Sequence, residues 1–108
     1  MLSEQFIGFQ ELINSQEFYD AHELMEEIWI EHGRPRPSLH LALIQLAASL
    51  EHVKRKNMNG ARALALRSLK SYKSSSETPE PSIRNLLVNF EQFAADDFHG
   101  KFPRMDNQ

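Results

Sequence analysis

The sequence predicts an all-α protein, a compact bundle of about five antiparallel helices built from helix-turn-helix pairs. Three observations carry that prediction. Apolar residues recur at spacings of three and four over most of the chain, and no stretch alternates as a half-buried strand must. Short polar or Gly/Pro-containing breaks separate the periodic stretches. The 108 residues suffice for one domain with a single core that needs no staples.

The first helix, over 4–14, starts from a Ser3 cap and sets Phe6, Phe9, Leu12 and Ile13 on one side; Asn14, Ser15 and Gln16 then turn the chain. A second, over 16–32, spaces Phe18, Ala21, Met25, Ile28 and Trp29 for burial and turns Asp20, Glu23, Glu27 and Glu31 to water. Gly33, Pro35 and Pro37 stop it. Pro37 or Ser38 opens a third helix that runs to about Lys56. Its apolar row is Leu39, Leu43, Leu46, Leu50 and Val53, and a second row holds Leu41, Gln45, Ala48, Ser49 and His52. Two usable faces make this helix central. Residues 57–60 form the next turn. The fourth helix, over 60–74, aligns Ala61, Leu64, Ala65, Ser68, Leu69 and Tyr72.

Residues 74–81, polar and proline-containing, read as a mobile linker within a domain of residues 1–97. Ser82 caps a fifth helix carrying Ile83, Leu86, Leu87, Phe90, Phe93 and Ala94. Residues 98–108 have no periodicity and form an irregular tail, pinned in part by Phe98 and Phe102.

Composition narrows the function. Without cysteine there is neither a disulfide nor a thiolate metal site. The start at Met1-Leu2-Ser3-Glu4, with no basic region and no long apolar run, predicts a soluble cytoplasmic protein with no membrane role. The net charge of −3 conceals blocks of opposite sign. Residues 1–33 hold eight acids and no Lys or Arg, whereas residues 34–75 hold nine bases and Glu51 alone on the acidic side. One reading is a nucleic-acid surface over 54–73; the favoured one is acidic and basic helices facing each other, within one chain or across a homodimer. Tyr72 is the only stacking aromatic in the basic stretch, which speaks against nucleic acid and for a protein partner.

The second helix departs from a plain bundle at His22 and Glu26, which fall inside its apolar arc and share a face. Ionisable groups there are costly unless partnered. His22 precedes the turn by about as far as Ser49 follows it, so His22 and Glu26 are expected to meet Gln45, Ser49 and His52, with Glu23 and Trp29 in support. The leading expectation is a satisfied buried network that fixes helix register, with no cofactor. A second is a Zn, Fe or Mn site using His22, Glu26 and His52, although the His-Glu-x-x-His motif is absent. A third is acid–base chemistry by His22 with Glu26 orienting it. His32 and His40, near helix ends, are read as solvated, Trp29 as a core anchor, and Gly60 as turn freedom or close helix approach.

The pattern Phe18-x3-His22-Glu23-x2-Glu26-x2-Trp29, then Leu43-Ile44-Gln45-Leu46-Ala47 and His52, then Asn57-x2-Gly60-Ala61 with Leu64 and Leu69, resembles domain-of-unknown-function family 309. The resemblance implies a small, all-helical, soluble protein. It picks out His22, Glu23, Glu26, Trp29, Gln45, His52 and Gly60 as matching positions and brings no activity. Family members commonly carry an arginine after the tryptophan; this chain has Ile30, so any pairing role of that arginine is missing here or is filled by Arg34 or Arg36. The helix pairs also resemble tetratricopeptide units faintly, through generic Gly-Ala and Ala-Leu spacing alone. The function expected is a non-enzymatic interaction or self-associating module, ahead of an enzyme centred on His22 and of a nucleic-acid binder.

Overall fold

The computed structural model describes residues 2–106. Five helices and no strand appear among them: α1 (Glu4–Asn14), α2 (Phe18–Glu31), α3 (Leu39–Lys54), α4 (Met58–Ser74) and α5 (Pro81–Ala95). The protein is an all-α bundle.

Local backbone chemistry sets the ends. At the close of α1, α2, α3 and α5 a residue with positive φ follows the C-cap, and two N–H groups fold back onto the last-turn carbonyls. For α3 the pair is Asn57 N–H to the His52 carbonyl (2.8 Å) and Lys56 N–H to Val53 (2.9 Å). Only at α2 does glycine, Gly33 with φ 85°, supply the left-handed residue. Gln16, Lys56 and Asp97 adopt it elsewhere, so the sequence carried no glycine signal there.

Two starts differ from expectation. Residues 58–60 are not a turn, because Asn57 caps α4: its side-chain oxygen accepts from Gly60 N–H at 3.2 Å. Nor does Ser82 cap α5. Glu80 occupies that position and Pro81 takes the first helical one, where a missing N–H costs nothing.

The central place of α3 follows from its neighbours. It packs on both α2 and α4, α1 packs on α2, and α5 on α4. Phe9, Phe18, Met25, Leu46, Leu50 and Phe90 are fully buried and belong to one core. Each such side chain contributes about 1.5–3 kcal/mol. Buried serines join α3 to α4 directly: Ser49 Oγ donates to the Ala61 carbonyl and Ser68 Oγ to the Ala42 carbonyl, both at 2.7 Å.

The 74–81 linker, expected to be mobile, is tied down. The Glu77 carboxylate accepts from Leu39 N–H (2.8 Å) at the start of α3, and Glu80 accepts from Ser3 N–H (2.6 Å). These charge-assisted bonds fasten the linker to the N-termini of α3 and α1.

The chain after α5 is irregular yet packed. Phe98, Pro103 and Met105 are buried, and Phe102 rests on Phe18 and Phe93. Asn14 clamps Met105 from both sides, donating to its carbonyl (2.9 Å) and accepting its N–H (2.8 Å). Residues 107–108 of the expected tail lie outside the described residues. Among the described residues no helix is long and apolar enough to cross a membrane.

Candidate functional site

The buried stripe of α2 is Phe18, Ala21, Met25 and Trp29; His22 and Glu26 sit half-buried at its edge. His22 and Tyr19 form one wall of a groove of about 190 Å³. Ala48, Glu51 and His52 of α3, with Arg55 just beyond it, form the other. Arg55 Nε donates to Glu51 at 2.6 Å, and the Tyr19 and His22 rings lie 6.1 Å apart. Glu23 stands beside Tyr19, and its charge, then its hydrogen bond, push the phenol above its ordinary range and hold the proton on it.

His52 has a defined tautomer. Asn57 gives its oxygen to Gly60 N–H, so its amide nitrogen faces His52 Nδ1 at 2.9 Å. Nδ1 is therefore an acceptor, and the neutral ring carries its proton on Nε2. Gly60 belongs to this arrangement, since a Cβ there would stand 2.9 Å from His52 Nδ1 and 2.8 Å from Asn57 Nδ2.

The expected single network of His22, Glu26, Gln45, Ser49 and His52 does not form. His22 and His52 share a groove. Gln45 instead accepts from Ser71 Oγ of α4 (2.8 Å), and Ser49 bonds the Ala61 carbonyl. Among the described residues no hydrogen bond joins Glu26 to His22, Gln45, Ser49 or His52. The cause is the side of α3 that each neighbour covers. Ala61 and Ala65 let α4 lie close against the second row of α3, so its serine and glutamine bond α4 rather than α2. No three His, Cys, Asp or Glu side chains among the described residues converge to hold a metal ion, so the ligand set expected of Zn, Fe or Mn is not assembled.

Trp29 is buried in the core, with its indole N–H donating to the Pro35 carbonyl at 3.0 Å. That contact folds the α2–α3 loop back and brings the Arg36 guanidinium to 5.6 Å from the indole centre. Arg36 then meets Arg67 and Lys70 of α4 around a second groove, of about 480 Å³, floored by Leu41, Gln45 and Ser71. Sequence reasoning held Arg67 and Lys70 within the wider basic stretch 54–73 but did not bring Arg36 to them, since a loop residue carries no helical register.

His40 also differs from expectation. It is buried rather than solvated, because α1 covers the first turn of α3: the ring stacks on Phe6 and its Nε2 lies 2.9 Å from Gln5 Oε1. Nδ1 has no partner. Burial pulls the imidazole below its ordinary range and the His32 ring, 4.8 Å away, adds to that, while Glu77 opposes it. His32 is exposed.

A family model described as a domain of unknown function (DUF309) matches residues 6–64, more than half of the chain. The chain belongs to that family. The DUF309 match takes in α1 from Phe6 on, α2, α3 and the first turns of α4, and so includes the His22 groove and the His52–Asn57–Gly60 contact. No curated protein and no solved structure matches the chain.

Proposed function

We propose that this DUF309 protein is a non-enzymatic interaction module that associates through surface charge, with a second copy of the chain as its first partner. The observation that carries this reading is the fate of the charge blocks. Seven of the eight acids in residues 1–33 are exposed and Glu26 is half-buried, and among the described residues none of the eight forms an ion pair. The bases of residues 34–75 that are paired use Glu51, Glu91 and Asp97 instead. Opposite charges kept apart on one chain are free to meet across two chains, where complementarity steers association and selects partners.

Light scattering after size exclusion, at about 0.01 M and about 1 M salt, tests this, because the screening length falls from about 30 Å to about 3 Å. A dimer at low salt that dissociates at high salt supports association. A monomer at both salts, over a wide range of protein concentration, contradicts it.

A second reading, acid–base chemistry, is favoured by one observation: two imidazoles and a phenol line the 190 Å³ groove. There the pair is His22 with His52, rather than His22 with Glu26. NMR titration of both rings tests it. Linked titration, abolished for either ring by alanine at the other, supports a functional pair; two independent, ordinary titrations remove it.

A further inference from the structure

The groove between α3 and α4 carries three cations and, among the residues lining it, no acid. Arg36, Arg67 and Lys70 are exposed, and none of them forms an ion pair among the described residues. This sets them apart from Arg55, Arg62 and Lys73 nearby in sequence, each of which has its own carboxylate. Of the two acids in the adjoining linker, Glu77 is spent on Leu39 N–H and the Ser75 hydroxyl, and Glu80 on Ser3 N–H. Three uncompensated positive charges at one concavity repel one another, and an anion between them relieves that repulsion.

Two features make this more than a patch of surface cations. Arg36 is pre-oriented, because its guanidinium rests near the Trp29 ring while Trp29 is buried and fastened to Pro35. The floor is also built: Ser71 Oγ donates to Gln45, which fixes a polar pair at the base of the groove beside Leu41. The charge count selects the ligand. One carboxylate leaves most of the positive charge unmatched, and one orthophosphate leaves up to about half of it. Linked phosphates place several charges within the reach of three side chains, and guanidinium groups take phosphate oxygens two at a time.

We propose that this groove binds a polyphosphate group, as presented by inorganic polyphosphate or by a nucleoside di- or triphosphate. The site uses the basic face alone and does not depend on the acidic surface invoked for association. Its failure and the failure of that reading are therefore separately visible.

Calorimetric titration with inorganic tripolyphosphate, orthophosphate and ATP, at low salt, is the test. Tripolyphosphate is expected to bind with one site per chain and at least about tenfold more tightly than orthophosphate. Alanine at Arg67 or Lys70 is expected to weaken binding about tenfold, the size of one charge-assisted contact. Arg67→Lys keeps the charge and should recover part of it. Lys56→Ala and Lys101→Ala, exposed cations outside the groove, report general charge effects. Equal losses in those controls, or no tripolyphosphate binding by the unaltered chain, overturn the proposal. ATP binding as tightly as tripolyphosphate confines recognition to the phosphates; tighter ATP binding adds the nucleoside to the ligand.

Discussion

Gly60 lies so close to His52 that a methyl group on its α-carbon would stand 2.9 Å from the imidazole Nδ1. His52 of α3 and Gly60 of α4, both singled out in the sequence, thus belong to one contact. Asn57 completes it by capping α4 with its oxygen and bonding His52 with its nitrogen. The contact sets how the α3–α4 turn closes, and it fixes the tautomer of a ring that lines the His22 groove.

Glycine-to-alanine exchange inside a helix ordinarily stabilises by about 1 kcal/mol. Gly60→Ala is expected to do the reverse, because the new methyl group displaces His52 and breaks its bond to Asn57, a loss of about 0.5–1.5 kcal/mol before any strain. Chemical denaturation measures it. In a His52→Ala background the same exchange should become neutral or stabilising, and that non-additivity identifies the contact as the cause.

Lys56 ends α3 with φ 63°, a conformation that costs a side-chain-bearing residue about 1–2 kcal/mol and glycine little. Lys56→Gly is therefore expected to raise stability by up to about 1 kcal/mol, the larger backbone entropy of glycine in the unfolded chain offsetting part of the gain. A melting temperature below that of the unaltered chain would count against the left-handed helix end.

Ser49 and Ser68 each lend a buried hydroxyl to a carbonyl on the facing helix. Alanine at either site should cost about 0.5–1.5 kcal/mol. Their partners differ, so the double variant should lose the sum of the two within about 0.5 kcal/mol. Equilibrium unfolding of the three variants checks both statements.

The pH dependence centres on His40. Its folded-state pKa lies below the ordinary value of about 6.5, so on acidification the unfolded chain takes up a proton that the folded ring resists. The contribution of His40 is neutral at higher pH and becomes destabilising as pH falls below about 6.5. Melting temperatures measured from about pH 7.5 to pH 5 should fall more steeply for the unaltered chain than for His40→Phe. Phenylalanine keeps the stack on Phe6 and removes both the titration and the unpartnered Nδ1.

Helix number and the apolar faces were legible because Phe6, Phe9, Ile13, Met25, Leu46 and Phe90 repeat with the helical period and are buried together. Gly33 and the prolines after it marked the end of α2, and polar turn residues marked the ends at Asn14 and Ser74. Gln16, Lys56 and Asp97 supply the left-handed residue with no glycine to mark it. The site was harder to read. Periodicity places His22 on α2 and Gln45 on α3 but does not say which neighbour covers which side of α3; small residues on α4 decide that. Long-range bonds such as Asn14 to Met105 leave no local pattern at all. His40 looked solvated because the covering residues, Gln5 and Phe6, belong to a helix two elements earlier.

The account stands or falls on association through complementary charge. The direct measurement is sedimentation velocity at low salt of the unaltered chain, of Glu23→Lys/Glu27→Lys, of Arg34→Glu/Lys56→Glu, whose bases lie outside the polyphosphate groove, and of an equimolar mixture of the two variants. Both variants reverse exposed side chains, so the fold should survive and circular dichroism confirms that it does. A dimer for the unaltered chain, monomers for each variant alone and a dimer restored in the mixture are the predicted results. Monomers throughout, or dimers indifferent to every reversal, would contradict the account.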